Sequence, residues 1–189
     1  LFGLCLAVLA AYHHFKLPPV LPILLSAYGY NPTIAGAFMS VYAVAGLILS
    51  FAVGAALQGP HFSKFLQGAF ALFVAGSLAT IVWPENGWNI LAARAIEGIG
   101  FAVLAVAGPA LCTAHAGRTG LPLAAALVAT WIPAGALLSG VLATTISNTG
   151  NWQLLWWIGI LLTLAMSAWT HRLSRHRSVI QTSREIAEN

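Results

Sequence analysis

The chain has 189 residues, of which 59% are hydrophobic and only 6% are charged, and its mean hydropathy is +0.86. This composition excludes a water-soluble globule, in which about 25% of the residues would be charged. It also excludes intrinsic disorder, which requires a low content of apolar residues. The net charge of +4 does not indicate a nucleic-acid partner, because the basic residues flank apolar segments in short loops. The sequence therefore predicts a protein that resides in the lipid bilayer.

Six apolar segments are each long enough to cross the hydrocarbon as a helix. They cover about residues 2–27, 34–57, 65–83, 88–113, 121–146 and 153–171, and we name them spans one to six. The separators are short and rich in turn formers, such as Asn31 with Pro32 and Gly59 with Pro60. Neighbouring spans should therefore be antiparallel. The predicted fold class is an all-α membrane protein, a single bundle of six transmembrane helices without an extramembrane domain.

The basic residues outside the spans all fall on one side of the predicted membrane. Lys64 follows span two, Arg118 follows span four and four arginines follow span six, whereas the other loops contain only Glu85 as a charged residue. Because short cytoplasmic loops are enriched in Lys and Arg, we predict that both termini are cytoplasmic. Residues 172–189 would form a basic cytoplasmic connector, and the membrane would be a plasma or bacterial inner membrane. Five tryptophans should then gather in the aromatic belt at the outer interface: Trp83, Trp88, Trp152, Trp156 and Trp157.

Three ionisable side chains, Lys16, Arg94 and Glu97, lie inside the predicted spans. A charge at the bilayer centre costs about 2.5–3.5 kcal/mol on insertion scales, so these groups should face a cavity or one another. Arg94 and Glu97 are three residues apart and can pair on one helix face, which would leave Lys16 unmatched. His13 and His14 lie beside Lys16, and an imidazole can relay protons near neutral pH. We predict a substrate-binding or proton-coupling site here; a purely structural Arg94–Glu97 pair is the alternative.

Span one contains three prolines within five residues, Pro18, Pro19 and Pro22. Each proline removes a backbone donor and clashes with the preceding turn, so this helix should kink or break. In transporters, discontinuous helices at mid-depth commonly build the binding site. The segment 13–19 is therefore the strongest local candidate for a site.

The sequence contains a weak internal repeat, in which residues 89 positions apart are similar. Tyr42, Ala45, Gly46, Leu49 and Ser50 in span two align with Trp131, Ala134, Gly135, Leu138 and Ser139 in span five. Because spans two and five cross the membrane in opposite senses, this similarity predicts two three-helix repeats of inverted topology. We include Tyr42 and Trp131, the aromatic pair at equivalent positions, among the candidate site residues.

The segment from Arg94 through Gly98 and Gly100 resembles the Arg-x-x-x-Gly-x-Gly signature in the fourth helix of the major facilitator superfamily. Six helices with both ends inside also resemble the amino-terminal half of that twelve-helix fold. The resemblance implies a secondary transporter of a small solute that works by alternating access, and a missing second six-helix half. It further implies a central cavity lined chiefly by helices one and four, with Arg94 associated with the cavity and, in some branches, with proton coupling.

A second run, Trp131-x-Pro133-x-Gly135, follows the fourth-helix signature. Taken together, the two runs look most similar to the cyanate and nitroimidazole transporter-like branch of the superfamily. The resemblance therefore implies membership of this branch.

Three classes of function remain open at this point. The first is a transporter for a small solute, with an anion favoured because Lys16 and Arg94 outnumber Glu97, and with protons as a candidate coupling ion. The second is a self-contained six-helix protein that dimerises to form a pore. The third is an intramembrane enzyme, which the complete lack of Asp makes unable to carry an aspartyl dyad. We expect no enzymatic activity, no cofactor and no metal.

Overall fold

The structure is a computed structural model that describes residues 1–56, 62–114, 116–147 and 149–188. These residues form helices and turns, and no strand occurs among them. The helices are α1 (Phe2–Phe15), a 3₁₀ turn (Pro18–Val20), α2 (Leu21–Tyr28), α3 (Pro32–Ala56), α4 (Phe62–Val82), α5 (Gly87–Ala114), α6 (Gly117–Ala129), α7 (Trp131–Ser147) and α8 (Gln153–Glu188). The turn predicted at Gly59 and Pro60, the predicted end of span two at residue 57 and the last connector residue, 189, lie outside the described residues.

Six segments of the described chain are long and apolar enough to cross a membrane, which confirms the predicted all-α, six-span fold class. They are Phe2–Tyr28, Pro32–Ala55, Phe62–Val82, Gly87–Ala114, Thr119–Ile146 and Gln153–Ser174. Span one comprises α1, the 3₁₀ turn and α2, and span five comprises α6 and α7, which are separated at Thr130. Helix α8 continues beyond span six to Glu188, so the described part of the predicted connector is helical.

Spans one and four form the centre of the bundle. Their most apolar stretches are each 56% buried, the highest share among the six spans. The two helices approach so closely that a Cβ added at Gly3 would lie 2.5 Å from the carbonyl oxygen of Gly108. Helices in lipid associate through small residues at such contacts, and here only glycine fits.

The remaining spans pack around this centre in the pattern expected of an inverted repeat. Span two packs on span four, where a Cβ at Gly98 would lie 2.7 Å from the carbonyl oxygen of Tyr42. Span five packs on span one, where a Cβ at Gly135 would lie 2.3 Å from the Cβ of Ala11. Span three packs against span four, and span six against span one. Exchanging spans one to three with spans four to six reproduces these pairs of neighbours, although span six packs more extensively on span three than on span one.

Spans two and five leave large apolar side chains uncovered. Only 22% of the most apolar stretch of span two and 11% of that of span five are buried, the lowest shares in the bundle. Leu47 and Phe51 on α3 are 69% and 84% exposed, and Leu137 on α7 is 68% exposed. These faces lie against lipid or against another protein segment.

Two of the five tryptophans predicted for the aromatic belt are buried inside the bundle and do not face outward. Trp83, Trp88 and Trp157 are exposed, as expected, but Trp152 and Trp156 are buried. Trp152 immediately precedes α8 and Trp156 lies in its first turns; both rings are buried, with their centroids 5.1 Å apart. The rotation of α8 decides that Trp156 faces the bundle while Trp157 faces outward.

Candidate functional site

The site begins at the break of span one. Helix α1 ends at Phe15, and the chain passes through Lys16 and Leu17 into the 3₁₀ turn. An uninterrupted helix would bond the carbonyl oxygen of His14 to the N–H of residue 18, but Pro18 has no N–H. The break therefore exposes a backbone acceptor in the interior of the bundle. It confirms the interruption that the proline cluster predicts.

Arg94 of α5 occupies this opening. Its Nη2 donates a hydrogen bond to the carbonyl oxygen of His14 at 3.2 Å, and its Nη1 donates to that of His13 at 3.0 Å. Nη1 also donates to Glu97 Oε2 at 2.6 Å, in the local pair that the spacing predicts. The planar, many-donor guanidinium suits this role because it can reach several acceptors at once. Arg94 thus ties the broken end of α1 to span four.

Lys16 binds the same carboxylate from the other side. Its Nζ lies 2.7 Å from Glu97 Oε1, so the expectation that an Arg94–Glu97 pair would leave Lys16 unmatched is wrong. The break at the end of α1 carries Lys16 across the helix interface, a proximity that sequence spacing does not encode. We call Lys16, Arg94 and Glu97 the ion cluster; all three side chains are fully buried.

Two further polar side chains complete the hydrogen bonds of Lys16. Nζ donates to Ser77 Oγ at 2.8 Å, and Ser77 Oγ in turn donates to Glu97 Oε1 at 2.7 Å. Nζ also lies 3.0 Å from His13 Nδ1. An ammonium has three donors and no acceptor, so all three donors of Lys16 have partners.

His13 extends this network from span one to span six. Because Lys16 can only donate to His13 Nδ1, His13 carries its proton on Nε2, which lies 2.9 Å from Thr163 Oγ1. Thr163 Oγ1 donates to the carbonyl oxygen of Gly159 at 2.7 Å. The imidazole also stacks on Phe73, with a centroid distance of 4.2 Å. A continuous hydrogen-bonded chain thus runs from Glu97 through Lys16 and His13 to Thr163.

The other three candidate residues, His14, Tyr42 and Trp131, belong to an aromatic cluster next to the ion cluster. The guanidinium carbon of Arg94 lies 4.0 Å from the centroid of the Tyr42 ring. The His14 ring lies 4.9 Å from that of Tyr42 and 5.6 Å from that of Phe101, and Phe101 lies 6.2 Å from Trp131. The structure therefore brings all seven candidate residues into two adjoining groups.

A cavity of about 410 Å³ lies beside the aromatic cluster. His14, Phe101 and Trp131 line it, and Leu47 and Ile132 lie at its exposed rim. None of the three residues of the ion cluster lines this cavity. A larger apolar groove of about 770 Å³ shares no lining residue with it and contains none of the candidate residues.

Sequence reasoning missed Phe101, Ser77 and Thr163. Phe101 is one helical turn from Glu97, so helical spacing alone would place it on the same face of span four as the ionisable residues. Ser77 and Thr163 are hydroxyl residues within apolar spans, where such side chains commonly hydrogen-bond across helices. Among the residues that the structure describes, no three His, Cys, Asp or Glu side chains are grouped so that they could hold a metal ion.

Comparison with known proteins identifies the family. No curated protein matches the chain. A family model described as Major Facilitator Superfamily matches residues 1–187, nearly the whole chain. The match is to the superfamily and gives no support to the narrower cyanate and nitroimidazole transporter-like placement. With its six membrane-spanning helices, the chain belongs to the Major Facilitator Superfamily of membrane transporters.

Proposed function

We propose that the chain is the amino-terminal half of a secondary active transporter that moves a small solute by alternating access. In this proposal, both termini are cytoplasmic, the membrane is a plasma or bacterial inner membrane, and a second six-helix half completes the solute pathway. The observation that carries the proposal is the fully buried ion cluster of Lys16, Arg94 and Glu97 at the break of span one, next to an aromatic cavity.

The composition of the ion cluster supports a role beyond holding the helices together. Two cations share one carboxylate, so the formal charge is one positive, whereas a purely structural pair would be neutral. Burying an uncompensated charge is costly, and intramembrane ionisable residues mark substrate or ion pathways. The excess positive charge supports an anionic solute. The chain of hydrogen bonds through His13 supports protons as the coupling ion.

The uncovered faces of spans two and five support the presence of a second half. The cavity rim at Leu47 and Ile132 lies on these spans, so a partner bundle placed there would close the cavity. A second copy of the chain could cover the same faces, which keeps the self-contained dimer as the alternative. The two arrangements differ in whether residues 1–189 transport by themselves.

Uptake by proteoliposomes tests the proposal. The protein encoded by the complete open reading frame that contains this chain is reconstituted as the wild type, as Arg94→Lys and as Arg172→Lys. Uptake of a panel of small anions is then measured at two external pH values. Lys at position 94 keeps the charge but replaces the planar guanidinium, whose two terminal nitrogens bond two carbonyl oxygens and a carboxylate, by a single nitrogen. We expect uptake to fall at least tenfold in Arg94→Lys and to stay unchanged in the control, since Arg172 is exposed.

Two results would count against the proposal. Normal uptake by Arg94→Lys would mean that the geometry around the guanidinium does not serve transport. Saturable uptake by liposomes that contain only residues 1–189 would favour the dimer over the half-transporter.

A further inference from the structure

The cavity beside the aromatic cluster has the size of a small-molecule site. Its volume of about 410 Å³ falls within the usual range of ligand pockets, about 300–1,000 Å³. Four helices contribute to it, with His14 at the end of α1, Gly46 on α3, Phe101 on α5 and Trp131 at the start of α7. A Cβ at Gly46 would lie 2.8 Å from the Phe101 ring, so glycine at this position lets the ring lie against α3.

Apart from Arg94 Nε, the nitrogens of the ion cluster already donate hydrogen bonds within the protein. The two terminal nitrogens of Arg94 donate to Glu97 and to two backbone carbonyl oxygens. The three donors of Lys16 are directed at Glu97, Ser77 and His13. These residues also do not line the cavity. Their positive charge would therefore attract an anionic solute there without a direct hydrogen bond to it. Direct contacts with the solute come from the residues that line the cavity, of which the three aromatic rings are the largest.

Those walls are three rings in a stepped row. His14 and Phe101 are inclined by 30° to each other, and Phe101 and Trp131 by 34°. Small side chains at Ala43 and Ala105 make up other parts of the lining. Aromatic rings attract other π-systems in offset-stacked or edge-on geometry beyond the effect of buried area. The row therefore discriminates in favour of flat, conjugated molecules.

One polar atom of the row lacks a partner. His14 Nδ1 is buried and makes no hydrogen bond to any residue that the structure describes. The same holds for Tyr42 Oη and Arg94 Nε, which belong to groups packed directly against the His14 ring or its neighbour. Buried polar groups without partners are rare in folded proteins. Because His14 Nδ1 is itself buried, a solute in the cavity would reach it only if the His14 ring turned.

We propose that the cavity binds a planar, conjugated solute that stacks on Phe101 and Trp131 and carries a carboxylate or similar anionic group. This inference rests on the proposed transport function and narrows its substrate class. The positive charge of the ion cluster accounts for the anionic group, and the ring row accounts for the planarity.

Two acids of equal charge and similar size separate these contributions. Benzoate is flat and conjugated, whereas cyclohexanecarboxylate is puckered and saturated; benzamide is flat but neutral. Binding is measured by competition with uptake in the complete transporter. We expect benzoate to compete about tenfold better than cyclohexanecarboxylate, which corresponds to roughly 1.4 kcal/mol of ring stacking. Benzamide should compete less well than benzoate.

The variants assign the preference to the ring row. Phe101→Leu and Trp131→Leu should each reduce the benzoate preference to about threefold or less, since each removes one ring. Trp131→Phe retains a ring and should keep the preference, which separates loss of stacking from loss of folding. Trp157→Leu is the matched control, because Trp157 is exposed and lies outside the cavity.

Each outcome has a defined meaning. Equal competition by the two acids overturns the stacking inference while leaving anion transport intact, and so does a preference that survives both leucine variants. Equal competition by benzamide and benzoate overturns the anionic part. If neither acid competes although uptake of another solute depends on Arg94, the planar substrate class is wrong and the transporter proposal stands. If no solute is taken up at all, the proposed function itself fails.

Discussion

Replacing Glu97 by Gln should destabilise the protein more than replacing either of the cations that bind Glu97. The carboxylate accepts hydrogen bonds from Lys16, Arg94 and Ser77 at 2.6–2.7 Å in a fully buried position. The amide of Gln keeps the shape of the side chain but removes the only negative charge of the ion cluster. Two buried cations would then lie side by side without an anion.

Removing one partner of a buried ion pair lowers the free energy of unfolding by about 3–5 kcal/mol. One kcal/mol corresponds to about 2–4 °C in melting temperature for a chain of this length, so we expect a fall of about 6–20 °C. Lys16→Met and Arg94→Met each leave one cation on the carboxylate, which restores a neutral pair. Their melting temperatures should fall by less than that of Glu97→Gln.

The assay is thermal unfolding in mild detergent, monitored as the loss of the peak of monodisperse protein. Glu85→Gln is the matched control, because it makes the same chemical change at an exposed loop residue, where substitutions usually change stability by no more than about 0.5 kcal/mol. Adding Lys16→Met to Glu97→Gln should recover part of the lost stability, since it removes one of the two unpaired cations. A Glu97→Gln variant as stable as Lys16→Met would refute the claim that this carboxylate balances both cations.

Two further predictions concern helix packing and orientation. Gly135→Ala should destabilise the bundle by about 1–3 kcal/mol through overpacking, because its Cβ would lie 2.3 Å from that of Ala11; Gly140→Ala, which meets nothing within 4 Å, should be neutral in the same melting assay. For orientation, in a background where both native cysteines are serine, a membrane-impermeant thiol reagent should label Glu85→Cys in intact cells and Ala187→Cys only after permeabilisation. Labelling of Ala187→Cys in intact cells would reverse the predicted topology.

The sequence by itself determined the features that depend on local composition. Six spans follow from the length of the apolar runs, because the cost of burying backbone and side chains in hydrocarbon adds up residue by residue. The break of span one follows from Pro18 and Pro19, which lack backbone donors wherever the helix is placed. The need of Arg94 and Glu97 for polar partners also follows from the sequence, since lipid provides none.

The tertiary structure alone decided which residues meet. Lys16 reaches Glu97 across 81 positions of sequence, and His13 reaches Thr163 across 150. Trp156 points inward beside Lys16, 5.1 Å from its Nζ, although its neighbour Trp157 faces outward. In a soluble helix, an apolar stripe reveals the buried face, but these spans are apolar on every side. The rotation of each helix is therefore set by close contacts at small residues and by polar partners on other spans, which exist only once the bundle has assembled.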